Sequence, residues 1–276
     1  MMSPEHASPW GVAMYTDAEI DRAASAIAEA RAQAAVVSLP PGLPPLERAD
    51  AYRVQTRVNQ LVMPAGARIA GFKVAGMQRS SGSNVAPGLV IAKPLCAPLW
   101  DHQVQGSEVT LDGRGRRLLG LETEICLRIG VGAKPGGGKT YEVVGTIAAF
   151  EIVEQRMATP IDSSHINLLI ADSIANAGIV LGPETPGWPE GVLEDEATIS
   201  RNGEQVMARR IGERLEDPRL ALGVLCEALD EMGWVVEDGA LLLTGLLTTE
   251  LWLKPGDLGE GVIGRLGQVT ASLAKG

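Results

Sequence analysis

The chain has 276 residues, 45% apolar and only 4% aromatic, with a formal net charge of -10. A chain of that length and composition buries a substantial core, so disorder is not the expectation and one large domain, with or without an N-terminal extension, fits. The acidic balance and the lack of a long Lys/Arg run argue against a nucleic-acid partner and for a small molecule.

The first sixteen residues show neither a basic leader nor an apolar core of signal-peptide length, and no segment approaches the roughly 20 apolar residues of a membrane span. Neither targeting nor a membrane is expected. Cys96, Cys126 and Cys226 are odd in number, far apart and in no CxxC pair. That pattern argues against a disulfide framework or zinc cage and for a reducing, cytoplasmic setting.

Thr16 and Glu19 form a capping box, followed by Ile20, Ala23, Ile27, Ala30 and Ala34 at helical spacing, which predicts a first amphipathic helix. The stretch LPPGLPP at 39–45 ends it. Leu46, Ala51, Val54, Val58 and Leu61 then predict a second helix that Pro64 closes. From Ile69 the pattern changes to short Val/Ile/Leu runs punctuated by glycine, the signature of a β-rich core. Asn202-Gly203 is the strongest hairpin signal, because both residues tolerate positive φ. Asp217-Pro218 opens a later helix with a face of Leu222, Leu225, Leu229 and Met232, and Gly233 stops it. The Gly/Ser/Pro-rich segments Gln78 to Gly88 and Gly132 to Gly138 read as mobile loops.

In LGLETEICL the strand alternation places Leu121, Thr123, Ile125 and Leu127 on one face and Glu122 and Glu124 on the other, roughly 6 to 7 Å apart at the backbone. Glu151, within AAFEIVEQR, is a third carboxylate in an apolar frame. Three buried acids would repel one another and lose hydration unless a cation neutralised them, and oxygen-only ligands favour Mg²⁺, Mn²⁺ or Ca²⁺ over zinc. Spacing alone leaves a plainer alternative, in which Glu122 and Glu124 line a solvated face and Glu151 pairs with Arg156 or another base.

From about Ala49 to the C-terminus the chain resembles, segment by segment and in order, the 2-keto-4-pentenoate hydratase family of the fumarylacetoacetate hydrolase superfamily. DAYRVQ, GFKVAG, LETEI, FEIVEQR, ADSIANAGIVLG, RNGE, PRLALGVLCEALDEMG, GALLLTGLLT and KPGD carry the resemblance. It implies an α+β fold: an N-terminal helical region at 1–68 and, over 69–276, a rolled mixed β core of the fumarylacetoacetate hydrolase C-terminal type. It implies Glu122, Glu124 and Glu151 as ligands of Mg²⁺ or Mn²⁺, with Glu154 the poorer candidate, and Lys73 as catalytic acid/base. It also implies a homo-oligomer acting on a 2-oxo or 2-enol carboxylate, as in aromatic-compound catabolism.

Lys73 lies in an apolar run, where proximity to the metal would lower its pKa; an ordinary lysine at a strand end is the alternative. Thr244-Gly245 matches the family's pocket-lining TG, where the hydroxyl would hold a substrate carboxylate or, equally, cap a strand. Arg156 is a further substrate-binding candidate. The family's loop Asp has no counterpart in Ser80 to Ile91, and its ADNAS serine is Ala175 here. A hydratase forming a 4-hydroxy-2-oxo acid is the first reading; a 2-oxo acid decarboxylase or acylpyruvate hydrolase, or a non-catalytic partner subunit, are the rivals. AKPGGGKT at 133–140 imitates a Walker A loop, but it leads into the Glu151 segment and lacks a Walker B strand. His6, His102 and His165 are too scattered for a metal site, though His165 could approach substrate.

Overall fold

The computed structural model describes residues 14–77, 91 and 93–275. Thr16 Oγ1 accepts from the Glu19 N–H at 3.3 Å and Glu19 Oε2 from the Thr16 N–H at 2.8 Å, satisfying donors that a helix start would otherwise orphan. Helix α1 follows over Asp17–Ala32, and Ala34, expected on its stripe, lies beyond it with φ +50°. Helix α2 spans Arg48–Val62 and buries Ala51, Val54 and Val58. Leu61 is exposed instead of buried, because the helical period carries the stripe to Val62, which packs against the core.

The strands follow as β1 (Ile69–Ala75), β2 (Leu95–Trp100), β3 (Val104–Gln105), β4 (Glu108–Leu111), β5 (Leu119–Ala133) and β6 (Lys139–Glu154). A short helix α3 (Ile166–Ala171) precedes β7 (Asn176–Pro186), β8 (Glu196–Arg201) and β9 (Glu204–Arg210). Helices α4 (Ile211–Arg214) and α5 (Leu220–Met232) lead to β10 (Ala240–Leu243), β11 (Leu251–Trp252), β12 (Leu258–Ile263) and β13 (Gly267–Leu273). Asn202 and Gly203, with φ of 52° and 80°, form the tight β8–β9 turn that the sequence predicts. Gly233, with φ 65°, caps α5.

Among the described residues the strands make two sheets, one ordered β2-β1-β10-β5-β6-β7-β3 with β11 paired to β5, the other β4-β13-β12-β8-β9. The larger sheet is mixed: β1 runs parallel to β10 and β3 to β7, while the remaining pairs are antiparallel. Leu121, Ile125 and Phe150 share one core with Ile199, Ile263 and Val269 of the smaller sheet. The sheets approach closely at β12. A Cβ on Gly259 would lie 2.4 Å from Leu121, and one on Gly261 would lie 2.7 Å from Phe150. The opposite face of β5 and β6 carries Glu122, Glu124 and Glu151. This is the α+β architecture expected, with α1 and α2 joining the same hydrophobic cluster as the sheets.

The Walker-like segment opens no helix. Lys139 and Thr140 begin β6, and a turn closed by Lys134 and Gly138 joins it to β5. The segment 78–88 lies outside the described residues. Cys96, Cys126 and Cys226 are free thiols, and no helix among the described residues is long and apolar enough to cross a membrane.

Candidate active site

The β5–β6 register sets Glu122 directly opposite Glu151, and Glu124 follows two residues along the same face. One carboxylate oxygen from each of the three lies within 4.8 Å of the others. Like charges at facing positions of an antiparallel pair destabilise it, more so when buried. Glu124 and Glu151 are buried, and Glu122 keeps a small exposure to the pocket. Burial and the neighbouring Glu151 push the Glu122 carboxyl up to about 8 and hold Glu124 well above its ordinary range.

Each acid is oriented by a different element. Glu124 Oε2 accepts the Gly245 N–H at 2.8 Å, just beyond β10. Glu151 Oε1 accepts from Lys73 Nζ and, at 2.9 Å, from Asn176 Nδ2. Glu151 Oε2 is buried without a hydrogen-bond partner among the described residues. An orphaned carboxylate oxygen beside two more oxygen donors, with no sulfur or imidazole in the set, fits a hard divalent cation.

Lys73 is buried because β1 is an interior strand, pairing with β10 through Leu243 and with β2 through Ala97. Two residues earlier, Gly71 lets the strands meet, since a Cβ there would stand 2.1 Å from the Leu241 carbonyl oxygen. Burial lowers the Lys73 pKa, yet the charges of Glu151, Glu122 and Glu124 outweigh it and hold the ammonium above its ordinary value in the metal-free protein. The expectation of a lowered pKa concerns the metal-loaded site; without the cation the three acids act in the other direction. The base that pairs with Glu151 is Lys73, whereas Arg156 goes elsewhere.

Arg156 lies on the pocket wall with its donors engaged by Asp172 Oδ2 at 2.8 Å, Glu154 Oε2 at 3.2 Å and the carbonyls of Asp172 and Asn176. Asp172 also receives Arg31 Nε of α1 at 2.7 Å, and Glu154 receives Arg116 and the Arg117 N–H. Glu154 is thus occupied away from the triad. Thr244 Oγ1 donates to the Ile125 carbonyl at 2.9 Å, capping β10, while Gly245 faces the pocket. His165 bonds locally to Asp162, and His102 stands beside Asp101.

A cavity of about 190 Å³ opens above the triad, with a predominantly aliphatic wall that includes Ile91, Leu95, Met157, Ile161 and Leu169. Three features of it escape the sequence reading. Ser173, Ile174 and Ala175 all have φ between 53° and 58°, left-handed backbone that a β-branched residue rarely adopts, and the Ile174 carbonyl accepts from Lys73 Nζ at 3.3 Å. Asn176 steadies Glu151. Glu250 lines the cavity beside Trp252. Burial raises its carboxyl above the ordinary value, while a backbone hydrogen bond and the Arg214 charge pull the other way.

No family model matches the chain. It is 26% identical over 229 residues to 2-keto-4-pentenoate hydratase of Paraburkholderia xenovorans (strain LB400), covering 80% of this chain and 81% of that one. 2-Keto-4-pentenoate hydratase 3 of Pseudomonas putida matches equally. The fold is that of 4-oxalocrotonate decarboxylase from Pseudomonas putida G7, solved with magnesium and adipate: TM-score 0.76, 20% identity, 94% of this chain and 99% of that one covered. Fumarylpyruvate hydrolase from Pseudomonas aeruginosa, solved with Mn²⁺ and pyruvate, superposes with a TM-score of 0.55 at 13% identity, over 74% of this chain and 89% of that one. The resemblance drawn from the motifs agrees with both kinds of match.

Proposed function

We propose that this chain, a relative of the 2-keto-4-pentenoate hydratases, is a divalent-metal-dependent lyase that hydrates 2-hydroxy-2,4-dienoate or 2-oxo-4-enoate acids through an enolate. The observation that carries this is the convergence of three carboxylates with buried Lys73 beside an aliphatic cavity that Glu122, Glu124 and Lys73 line. Glu122, Glu124 and Glu151 would hold a magnesium-class cation, which when bound would supply Lewis-acid stabilisation of negative charge on the substrate.

The chain's own residues do the rest. Gly245 and Asn176 hold Glu124 and Glu151 in place through their N–H donors. Lys73, tethered to Glu151 and the Ile174 carbonyl, gives a proton to the far end of the diene while the enol O–H proton leaves to water, and so turns the dienol into an α,β-unsaturated 2-oxo acid. Water then adds to give the 4-hydroxy-2-oxo acid. Gly245 and Arg156 bound the space that the substrate occupies, and Thr244 supports that wall from behind. Oxygen-only donors favour Mg²⁺ as the working ion, and three free thiols favour the cytoplasm. A homo-oligomer completes the reading.

Proton NMR of the Mg²⁺-loaded protein with 2-hydroxypenta-2,4-dienoate tests this. The 4-hydroxy-2-oxo acid is the expected product. Carbon dioxide from a 2-oxo-3-enedioate, or pyruvate from an acylpyruvate, would assign the decarboxylase or hydrolase chemistry instead. No turnover of any of the three would refute the reading.

A further inference from the structure

We propose that Arg156 is a positioning residue for the proton transfer: it clamps the left-handed turn at Ser173, Ile174 and Ala175, and that turn aims the Lys73 ammonium at the substrate. The inference rests on the reading above, in which Lys73 gives the proton. Three consecutive residues with φ of 53°, 53° and 58° make a turn that L-residues disfavour, a β-branched isoleucine most of all. Such backbone persists only where its surroundings hold it. Arg156 Nη2 donates to the carbonyls on either side of the turn, that of Asp172 at 3.2 Å and that of Asn176 at 3.0 Å, while Nε donates to the Asp172 carboxylate at 2.8 Å. One buried, planar guanidinium therefore spans the turn from end to end. Helix α2 holds the same segment from elsewhere: Ser173 Oγ donates to Asn59 Oδ1 at 3.3 Å, and Gln55 Nε2 donates to the Ile170 carbonyl at 2.7 Å.

The strained turn touches the reacting pair at both its members. The Ile174 carbonyl accepts from Lys73 Nζ at 3.3 Å, and Asn176 Nδ2 donates at 2.9 Å to Glu151 Oε1, the oxygen that also accepts from Lys73. An ammonium carries three N–H bonds in a fixed tetrahedral fan. With one on Glu151 and one on the Ile174 carbonyl, a single direction is left for the proton that is given, and Lys73 lines the cavity. If the turn relaxed, the ammonium would rotate about its Cε–Nζ bond and lose that aim. A misaimed donor slows the chemical step while the groups that bind the substrate stay in place.

Lysine at 156 keeps a positive charge beside Asp172 but cannot span both carbonyls. Arg156→Lys should therefore lower kcat on 2-hydroxypenta-2,4-dienoate by about tenfold or more, with KM and the calorimetric affinity of the Mn²⁺-loaded protein for oxalate within about threefold of wild type. Hydrogen exchange of the amides at 172–176 should quicken in the metal-free variant. An unchanged kcat or unchanged exchange overturns the inference. A change in KM or oxalate affinity beyond that limit also overturns it, because Arg156 would then be gripping the substrate itself. If Arg156→Lys does not fold, Asn59→Ala decides, since Asn59 reaches the turn through Ser173 and does not line the cavity. A kcat lower by about threefold or more at unchanged KM upholds the inference there, and a smaller change overturns it. Absence of turnover in the wild type is a different result and overturns the underlying reading of Lys73 as proton donor.

Discussion

Stripping the cation should make the folded protein lose stability as pH rises. In the metal-free state, burial and Glu151 hold the Glu122 proton up to about 8, against an ordinary value of 4.5. A carboxyl raised on folding contributes its full stability below the unfolded pKa and loses it as pH climbs through the folded one, because the unfolded chain has already released the proton. Between pH 5.5 and 8 the loss is about 3 kcal/mol, at roughly 1.4 kcal/mol per pH unit. Glu124, whose carboxyl is also pushed up by burial and Glu151, acts in the same direction. For a chain of this size the melting temperature should fall by roughly 6 °C, taking about 2 °C per kcal/mol. Scanning calorimetry after EDTA treatment, at several pH values in that window, measures it. Saturating Mn²⁺ should flatten or reverse the slope, since a cation that binds the ionised acids stabilises the fold more as they deprotonate. A flat metal-free profile, or a Glu122→Gln variant that declines as steeply as the wild type, refutes the argument.

Lys73→Ala should lower kcat on the best substrate by roughly a hundredfold or more, the scale of general acid/base catalysis, while Mn²⁺ still binds; recovery of much of the activity by Lys73→Arg would reduce its role to charge. Asp172→Asn leaves Arg31 and Arg156 short of their shared buried partner and should cost about 3 kcal/mol or more in urea denaturation; a loss under about 1 kcal/mol would show that Glu154 and the backbone carbonyls suffice.

The parts of this molecule legible in the sequence are those set by short-range rules. The Thr16–Glu19 box, the Asn202-Gly203 turn and the Gly233 cap each depend on a few consecutive residues. Alternation alone puts Glu122 and Glu124 on one face. Their meeting with Glu151 depends on the register of β6, which the turn after Ala133 and a bulge at Arg128/Ile129 decide, and only the resemblance to a family pointed to it. The apolar frame of Lys73 in sequence says nothing of the three acids across the sheet, which raise its pKa in the metal-free protein. Glu250 sits in TTELW, a segment without periodicity, and reaches the cavity only because β11 adds to the edge of β5. Left-handed backbone at Ile174 runs against the residue's own preference, and nothing local announces it.

The three facing carboxylates come from one ribbon. β5 and β6 form a single long hairpin, so Glu122 and Glu151 face each other across only about thirty residues of intervening chain, a short loop to close in entropic terms. Lys73, Gly245 and Glu250 reach the same space from distant parts of the chain. The carboxylates can therefore find their mutual register early in folding, before the sheet closes, while Lys73 and Gly245 join them only with the completed topology. Exchanging the later-arriving elements would change the surroundings of the three carboxylates without disturbing the ribbon that carries them.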